Sequence, residues 1–429
     1  MKDIVLFIIL LSITKVYAQN NQLLTPAQLK EDANFFFKTL HTLHPNPYYY
    51  YSLEEFEDKK NEIYSQLDKS LTHEQFVWII GEINSYLDMH SMINLFSPMY
   101  GRENIFNKNI KHFPLTKIEN KKLYLKTFSR EIETINGIRS DSIIQDLNNY
   151  FNWKLPSKRN IRAMEINFNI FLMFKYGINA PFKVKFENSN DVQSFDGISI
   201  DEYIKGVSGG PRGISYGYSY KIYPTSSIAI FNLPGFEDKS RDKLEHKLKD
   251  FFKEVDSLSI QHIFYDLSMN GGGYPYFKPL DIIKHDSVFF RYTAIGDAIS
   301  QFNRKYNMNQ VILLPNNNSN ISEERKLYIL QGIETASGAD YFCRIVAENK
   351  LGVLVGQNTG EPTTAFSYSS RNEMPNSKIR FNTATTFMDF SDHFKGKTLH
   401  PDLYWDVDIS REFTEKELMD IVEQCKNIK

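Results

Sequence analysis

The chain has 429 residues and nearly balanced charge, 50 lysines and arginines against 52 aspartates and glutamates. A formal net charge of −2 supplies no basic field for a phosphate backbone and argues against a nucleic-acid partner. Two cysteines exclude a disulfide scaffold, and a chain of this length is expected to hold two or three domains.

The sequence opens with Met1-Lys2, an apolar run from Ile4 to Ile13, and Val16-Tyr17-Ala18 before Gln19. A basic start, a short apolar core and small residues near a cleavage point predict a signal peptide over residues 1–18, cleaved near Ala18. The run is too short to anchor in a bilayer, and no other segment is apolar enough to be a membrane span. No cysteine follows it to carry a lipid. Export to a periplasm or the cell exterior is expected.

Thr25-Pro26-Ala27-Gln28, Ser52-Leu53-Glu54-Glu55 and Thr72-His73-Glu74-Gln75 each read as a capping box, so three helices are expected within residues 22–87. Leu29, Ala33, Phe36, Phe37 and Leu40 form the apolar stripe of the first. His44-Pro45-Asn46-Pro47 ends it, and Tyr48 to Tyr51 are expected at the interface between the helical unit and its neighbour. The third helix should run to about Asp88. Short strands follow around Met89 to Phe96, Lys122 to Thr127 and Ile132 to Asn136, the last leading into an Asn136-Gly137 tight turn. With a helix from Ser142 to Leu147, this resembles half of a PDZ-like module. Residues 155–205 mix a helical piece, Met164 to Phe174, with strands around Phe182 to Phe186. Glycine-rich Gly206 to Gly217 reads as a boundary.

From Lys221 onward the pattern is α/β. Strand Ser227 to Phe231, an amphipathic helix through Leu244, Leu248, Phe251, Phe252 and Val255, and strand Gln261 to Leu267 make a βαβ unit. Strand Leu327 to Leu330, a helix after Ser337 and strand Gly352 to Val355 repeat the alternation, and Thr414-Glu415-Lys416-Glu417 caps a last helix through Cys425. The chain thus divides into a signal peptide (1–18), an N-terminal helical domain (19–100), a PDZ-like mixed β module (101–205) and an α/β domain (206–429).

Two stretches of the α/β part carry chemistry. Ser337 lies between small residues at a strand-to-helix turn, where free N–H groups and the helix dipole favour developing negative charge. Such a serine is either a nucleophile or a plain N-cap. Asn270-Gly271-Gly272-Gly273 lies beyond the carboxyl end of a strand, where ligand sites of open α/β sheets form. The Gly272 N–H, paired with that of Gly338, would make an oxyanion hole. Gly206-Val207-Ser208-Gly209-Gly210 matches a nucleophile elbow in form, but no apolar strand precedes it and Pro211 prevents a following helix. No metal-ligand spacing appears. Cys343 and Cys425 sit on apolar helix faces and read as buried thiols, with a single bridge between them the alternative.

Asp266-Leu267-x-x-Asn270-x-Gly272-Gly273 resembles the Asp-Leu-Arg-x-Asn-x-Gly-Gly motif of the S41 peptidases, the C-terminal processing and tricorn-like serine proteases. Thr335-Ala336-Ser337-Gly338-Ala339-Asp340 is similar to their Thr-Ala-Ser-Ala-x-Glu, whose serine is the nucleophile. Val353-Leu354-Val355-Gly356-x-x-Thr359-Gly360, Pro401-Asp402, His44-Pro45-x-x-Tyr48 and Ile135-Asn136-Gly137 resemble further segments in the family's order. The resemblance implies a ClpP/crotonase-like α/β core and an exported serine peptidase acting on peptide or protein substrates without a cofactor. In one branch a lysine downstream is the base, but Thr359-Gly360-Glu361-Pro362 has none there. In the tricorn-like branch the base is a histidine from an N-terminal segment, which Asp88-Met89-His90-Ser91 resembles, implying His90. Asp340 is expected to order the helix start.

Three positions depart from the pattern. Met89 replaces a serine, Ser268 an arginine, and Lys395 stands where an orienting glutamate is expected, leaving Asp392 or Glu361 as substitutes. These departures keep a second reading open: a catalytically weak or inactive S41-like protein that binds peptide or a hydrophobic ligand.

Overall fold

A computed structural model describes residues 23–88, 90–95, 110–150, 167–169, 171–207, 217–236, 241–273, 277–290, 311–313, 321–360, 365–388, 398–407 and 411–428. The expected signal peptide, Met89, Glu361, Asp392 and Lys395 lie outside them, as does most of the glycine-rich boundary.

The N-terminal unit is helical because its start signals are met. Helices α1 (Pro26–Leu43), α2 (Leu53–Ser65) and α3 (His73–Gly81) each begin at a reciprocal capping box, on Thr25, Ser52 and Thr72. Each cap contributes about 1 kcal/mol by satisfying amides the first turn leaves open. Helix α1 buries the predicted stripe. Helix α3 ends at Gly81, before the expected Asp88, and the chain tightens into a 3-10 turn over Glu82–Tyr86. That turn aims buried Asn84 at a short strand, β1 (Met92–Ile93). The Asn84 amide accepts the Ile93 N–H at 2.7 Å and donates to the Ile93 carbonyl at 2.9 Å, acting as a neighbouring strand would.

The β module is an antiparallel sheet of β2 (Thr116–Glu119), β3 (Lys122–Leu125), β4 (Arg130–Ile135), β5 (Phe182–Phe186) and β6 (Val192–Phe195), packed on helix α4 (Ser140–Tyr150). Asn136 (φ 48°) and Gly137 (φ 83°) form a two-residue loop closed by the Ile135–Ile138 pair, as the tight-turn signal requires.

The α/β part comprises β7 (Ser219–Tyr223), β8 (Ile228–Asn232), helix α5 (Arg241–Ser257), β9 (His262–Asp266), β10 (Lys326–Gln331), helix α6 (Gly338–Glu348), β11 (Val353–Gly356), a ribbon of β12 (Ala365–Glu373) and β13 (Arg380–Met388), β14 (Leu403–Tyr404) and helix α7 (Glu415–Gln424). Its sheet runs β7-β8-β9-β10-β11-β14, with β7 antiparallel and the rest parallel. Alternate residues of the central strands feed two separate cores. Phe231, Ile263, Tyr265 and Ile329 meet α5 and α6 on one face, while Ile230, Phe264, Tyr328 and Val355 meet α7 on the other. Cys343 belongs to the first core and Cys425 to the second. The sheet therefore separates the two thiols, and both are free and buried. Burial pushes the Cys343 thiol well up and the Cys425 thiol to about 11, so neither is a ready nucleophile.

The β12–β13 ribbon leaves this domain and enters the helical one. Met374, Ile379 and Phe381 lie in the helical core, and the Phe381 ring stands 5.0 Å from that of Phe36. Fully buried Asp32 of α1 accepts the Asn376 and Ser377 N–H groups at 2.8 and 2.7 Å, holding the ribbon's tip. Strand β1 adds to the ribbon's edge through Phe381–Ile93 and Asn382–Met92.

Candidate active site

Ser337 ends the turn between β10 and α6. Its backbone has φ 50° and ψ −124°, and its side chain makes no capping bond. An N-cap needs an extended backbone and a side chain turned onto the helix, so the capping reading does not fit. A non-glycine residue in such a conformation costs roughly 1–3 kcal/mol and persists only where its surroundings over-determine it. Here they do. The Ala336 N–H donates to the Asn270 carbonyl at 3.1 Å, and the Gly360 N–H to the Thr335 carbonyl at 2.9 Å. The buried Thr335 hydroxyl donates to the Leu267 carbonyl at 2.8 Å and accepts the Gly332 N–H at 2.9 Å. Beyond the turn, α6 is buried from Gly338 to Val346.

The glycine segment lies directly against this turn. A Cβ on Gly272 would fall 2.6 Å from the Ser337 Cβ and 2.9 Å from the Gly338 nitrogen, and its φ is 109°. Only glycine fits there. Asp266, which begins the motif, accepts the Ser268 N–H and hydroxyl on one oxygen at 3.0 and 2.5 Å, so Ser268 closes the turn locally where the family has arginine.

The expected pair of oxyanion donors is modified by one contact. The Gly272 N–H donates to Asn270 Oδ1 at 2.9 Å and is engaged within its own loop. The Gly338 and Gly273 N–H groups donate to no acceptor among the described residues. Phe236 pairs with Gly273 in a parallel bridge, donating its N–H to the Gly272 carbonyl at 2.9 Å. On its other side the Gly273 carbonyl oxygen abuts Gly338, where a Cβ would fall 2.2 Å from it.

The histidine segment is built differently, from side chains. Asp88 is 3% exposed and accepts the His90 N–H on Oδ1 at 2.6 Å, while its Oδ2 lies 2.7 Å from His44 Nε2. Burial pushes the Asp88 carboxyl up, but the hydrogen bond from His44, aided by Ser91, outweighs it and holds the group below the usual carboxylate range. The buried Ser91 hydroxyl accepts the Ala384 N–H of β13 at 2.8 Å. The His44 ring packs 4.5 Å from Phe366 of β12, which Tyr49 also meets edge-on at 5.4 Å. Tyr49 and Tyr50 therefore meet the ribbon at Phe366, whereas Tyr48 packs on Phe56 and Tyr51 on Tyr86 within the helical unit.

Ser337, Gly272 and Gly338 thus form one constellation with Thr335 and Asn270. His90 stands on a separate element of the helical unit, joined to the constellation by the ribbon. That ribbon begins just beyond Gly360, which is bonded to Thr335, and the chain returns at Leu399, whose N–H donates to Thr359 Oγ1 at 3.1 Å. Asp340 pairs with buried Arg344 at 2.5 Å, consistent with ordering the helix. No group of metal-binding side chains occurs among the described residues. Sequence motifs include both His44 and Gly273 but do not show that His44 meets Asp88, 44 residues away, or that Gly273 differs from its glycine neighbours.

Residues 227–405 match the family model described as peptidase family S41. No curated protein matches the chain. Among solved structures, mature CPAF superposes with a TM-score of 0.55 at 10% identity, over 93% of this chain and 97% of that one, a likeness of fold alone. The photosystem II D1 C-terminal processing protease (TM-score 0.45, 10% identity, 88% of this chain and 93% of that one) is more distant. So is the tricorn protease (TM-score 0.42, 12% identity, 94% of this chain and 37% of that one).

Proposed function

We propose that this chain, a member of peptidase family S41 over residues 227–405, is an exported serine-type peptidase with Ser337 as nucleophile and His90 as general base. The observation that carries the proposal is the Ser337 backbone, strained at φ 50° and ψ −124° with no capping bond and braced on both sides. Strain kept at a strand-to-helix turn exposes a hydroxyl at the head of a helix, which is what attack on a carbonyl requires.

In the proposed reaction, Ser337 Oγ bonds to the peptide carbonyl carbon as its proton passes to the His90 imidazole. The oxyanion forms at the start of α6, stabilised by the Gly338 N–H, with the second donor from the glycine segment. Gly272 was the first expectation for that donor. Its bond to Asn270 makes the Gly273 N–H the better placed of the two, with Gly272 providing the space for Ser337. Collapse breaks the C–N bond and His90 returns the proton to the leaving amine. Water, deprotonated by His90, then hydrolyses the Ser337 ester and regenerates the hydroxyl.

The test is labelling by a serine-directed fluorophosphonate together with hydrolysis of a fluorogenic peptide library. Wild-type protein should label and turn over, and Ser337→Ala should lose both, with turnover falling on the order of 10⁶-fold. Labelling that survives Ser337→Ala would overturn the nucleophile. A folded wild-type protein that neither labels nor cleaves would favour the peptide- or ligand-binding reading. Export predicts a mature N-terminus near Gln19 in the extracytoplasmic fraction.

A further inference from the structure

The hydrogen-bond polarity around His44 restricts what that residue can be. Its Nδ1 faces the backbone N–H of Asn46 at 3.0 Å, and a peptide N–H can only donate. Nδ1 is therefore the unprotonated acceptor, and the ring proton sits on Nε2, pointing at Asp88 Oδ2 at 2.7 Å. These two contacts occupy both nitrogens of the His44 ring and fix its orientation, with its side chain 2% exposed. It cannot take a proton from a serine without giving up one of these bonds. The carboxylate it holds has its other oxygen on the His90 N–H at 2.6 Å. Ser91, the residue after His90, is bonded to the ribbon at Ala384, and His44 itself packs on Phe366 of the same ribbon.

We infer that His44 and Asp88 are positioning residues for the base: a buried imidazole–carboxylate pair that sets the backbone of His90 and ties it to the ribbon leading to the Ser337 turn. The inference rests on the proposed role of His90. Its chemical logic is that of a second layer of hydrogen bonds, in which His44 fixes the Asp88 rotamer and Asp88 fixes the turn that aims the His90 ring. A misplaced base lowers the rate of the chemical step and leaves substrate binding largely alone.

The experiment uses the full mature chain with the peptide substrate found in the labelling assay. Three variants are compared by kcat, KM and thermal unfolding: His44→Leu, which removes the donor to Asp88, Asp88→Asn, and His44→Gln, whose amide N–H reaches the same direction. The first two should lower kcat on the order of 10²-fold with KM little changed. His44→Gln should recover most of that loss. Long-range 1H–15N spectra of the wild type should show His44 as the neutral Nε2–H tautomer, in a signal missing from His44→Gln. Unchanged kcat in a folded His44→Leu, a loss confined to KM, or an Nδ1–H tautomer would overturn the inference. These outcomes differ from failure of the peptidase reading, in which the wild type itself shows no Ser337-dependent turnover.

Discussion

The Ser337 turn and the His90 segment are held by opposite means. The turn is shaped by peptide groups: glycines that let two backbones approach, and amide bonds that fix Ala336 and Thr335. The His90 segment is shaped by buried side chains, with Asp88, His44, Ser91 and Asn84 each bonding to backbone. Backbone-built geometry tolerates no added atom, whereas side-chain geometry fails when one polar group is exchanged. The two halves also meet through a third element, the ribbon, so the second half can be loosened at a distance.

The sharpest way to break the symmetry is a single carbon. Gly272→Ala would place its Cβ 2.6 Å from the Ser337 Cβ and 2.8 Å from the Ala336 carbonyl oxygen, at a φ of 109°. Steric displacement and backbone strain together should cost several kcal/mol, about 1–3 from each. Fluorophosphonate labelling should disappear. Gly271→Ala, one residue earlier, meets nothing within 4 Å and has no such φ. It should change stability by less than about 0.5 kcal/mol and keep labelling.

Next in size is the ribbon's tip. Asp32→Asn replaces a carboxylate oxygen that accepts a peptide N–H with an amide that cannot. An unsatisfied buried donor costs about 1–3 kcal/mol, readable by urea denaturation. Because the tip is anchored on α1 and makes none of the bonds that hold the Ser337 turn, kcat should fall with the His90 segment while the turn's amide protection is retained. Smaller still, and opposite in sign, is Ser337→Gly. Relieving the strained backbone should stabilise the protein by about 1 kcal/mol while abolishing turnover. A lowered Tm would mean the serine is not strained.

Much of this was legible in the sequence, and the reasons differ by region. Four capping boxes located helix starts to the residue, because the box is a local hydrogen-bond pattern. The four central strands of the α/β sheet and the Asn136-Gly137 turn were legible through hydrophobic runs and φ requirements, whereas the edge strands β7 and β14 were not. Ser337 could be read as nucleophile or cap, and only its backbone angles distinguish the two. The ribbon's insertion into the helical core was invisible. Nothing local marks Met374 and Phe381 as core residues of another unit, and their partners, Phe36 and the rest of that core, lie hundreds of residues earlier. The end of α3 was misjudged because Asn84 draws the chain into a tighter turn to reach Ile93, a long-range demand that periodicity does not register.

The smallest effect is the one that isolates the two halves most cleanly. The Asp88 carboxyl titrates below its ordinary value of 3.8, so in that range the folded protein binds fewer protons than the unfolded chain. The stability it contributes is complete above the unfolded value and is lost as pH falls through the folded one. The bonds that hold the Ser337 turn are peptide and hydroxyl groups, which do not titrate there. Acidification below about pH 4 should therefore raise hydrogen exchange at residues 90–93 before it does so at residues 335–338, which precede the Asp340–Arg344 pair. Asp88→Asn should flatten that dependence, since an amide has no proton to gain. Equal acid sensitivity of the two segments, or an undiminished slope in Asp88→Asn, would mean that the His90 backbone is held by something other than this carboxylate.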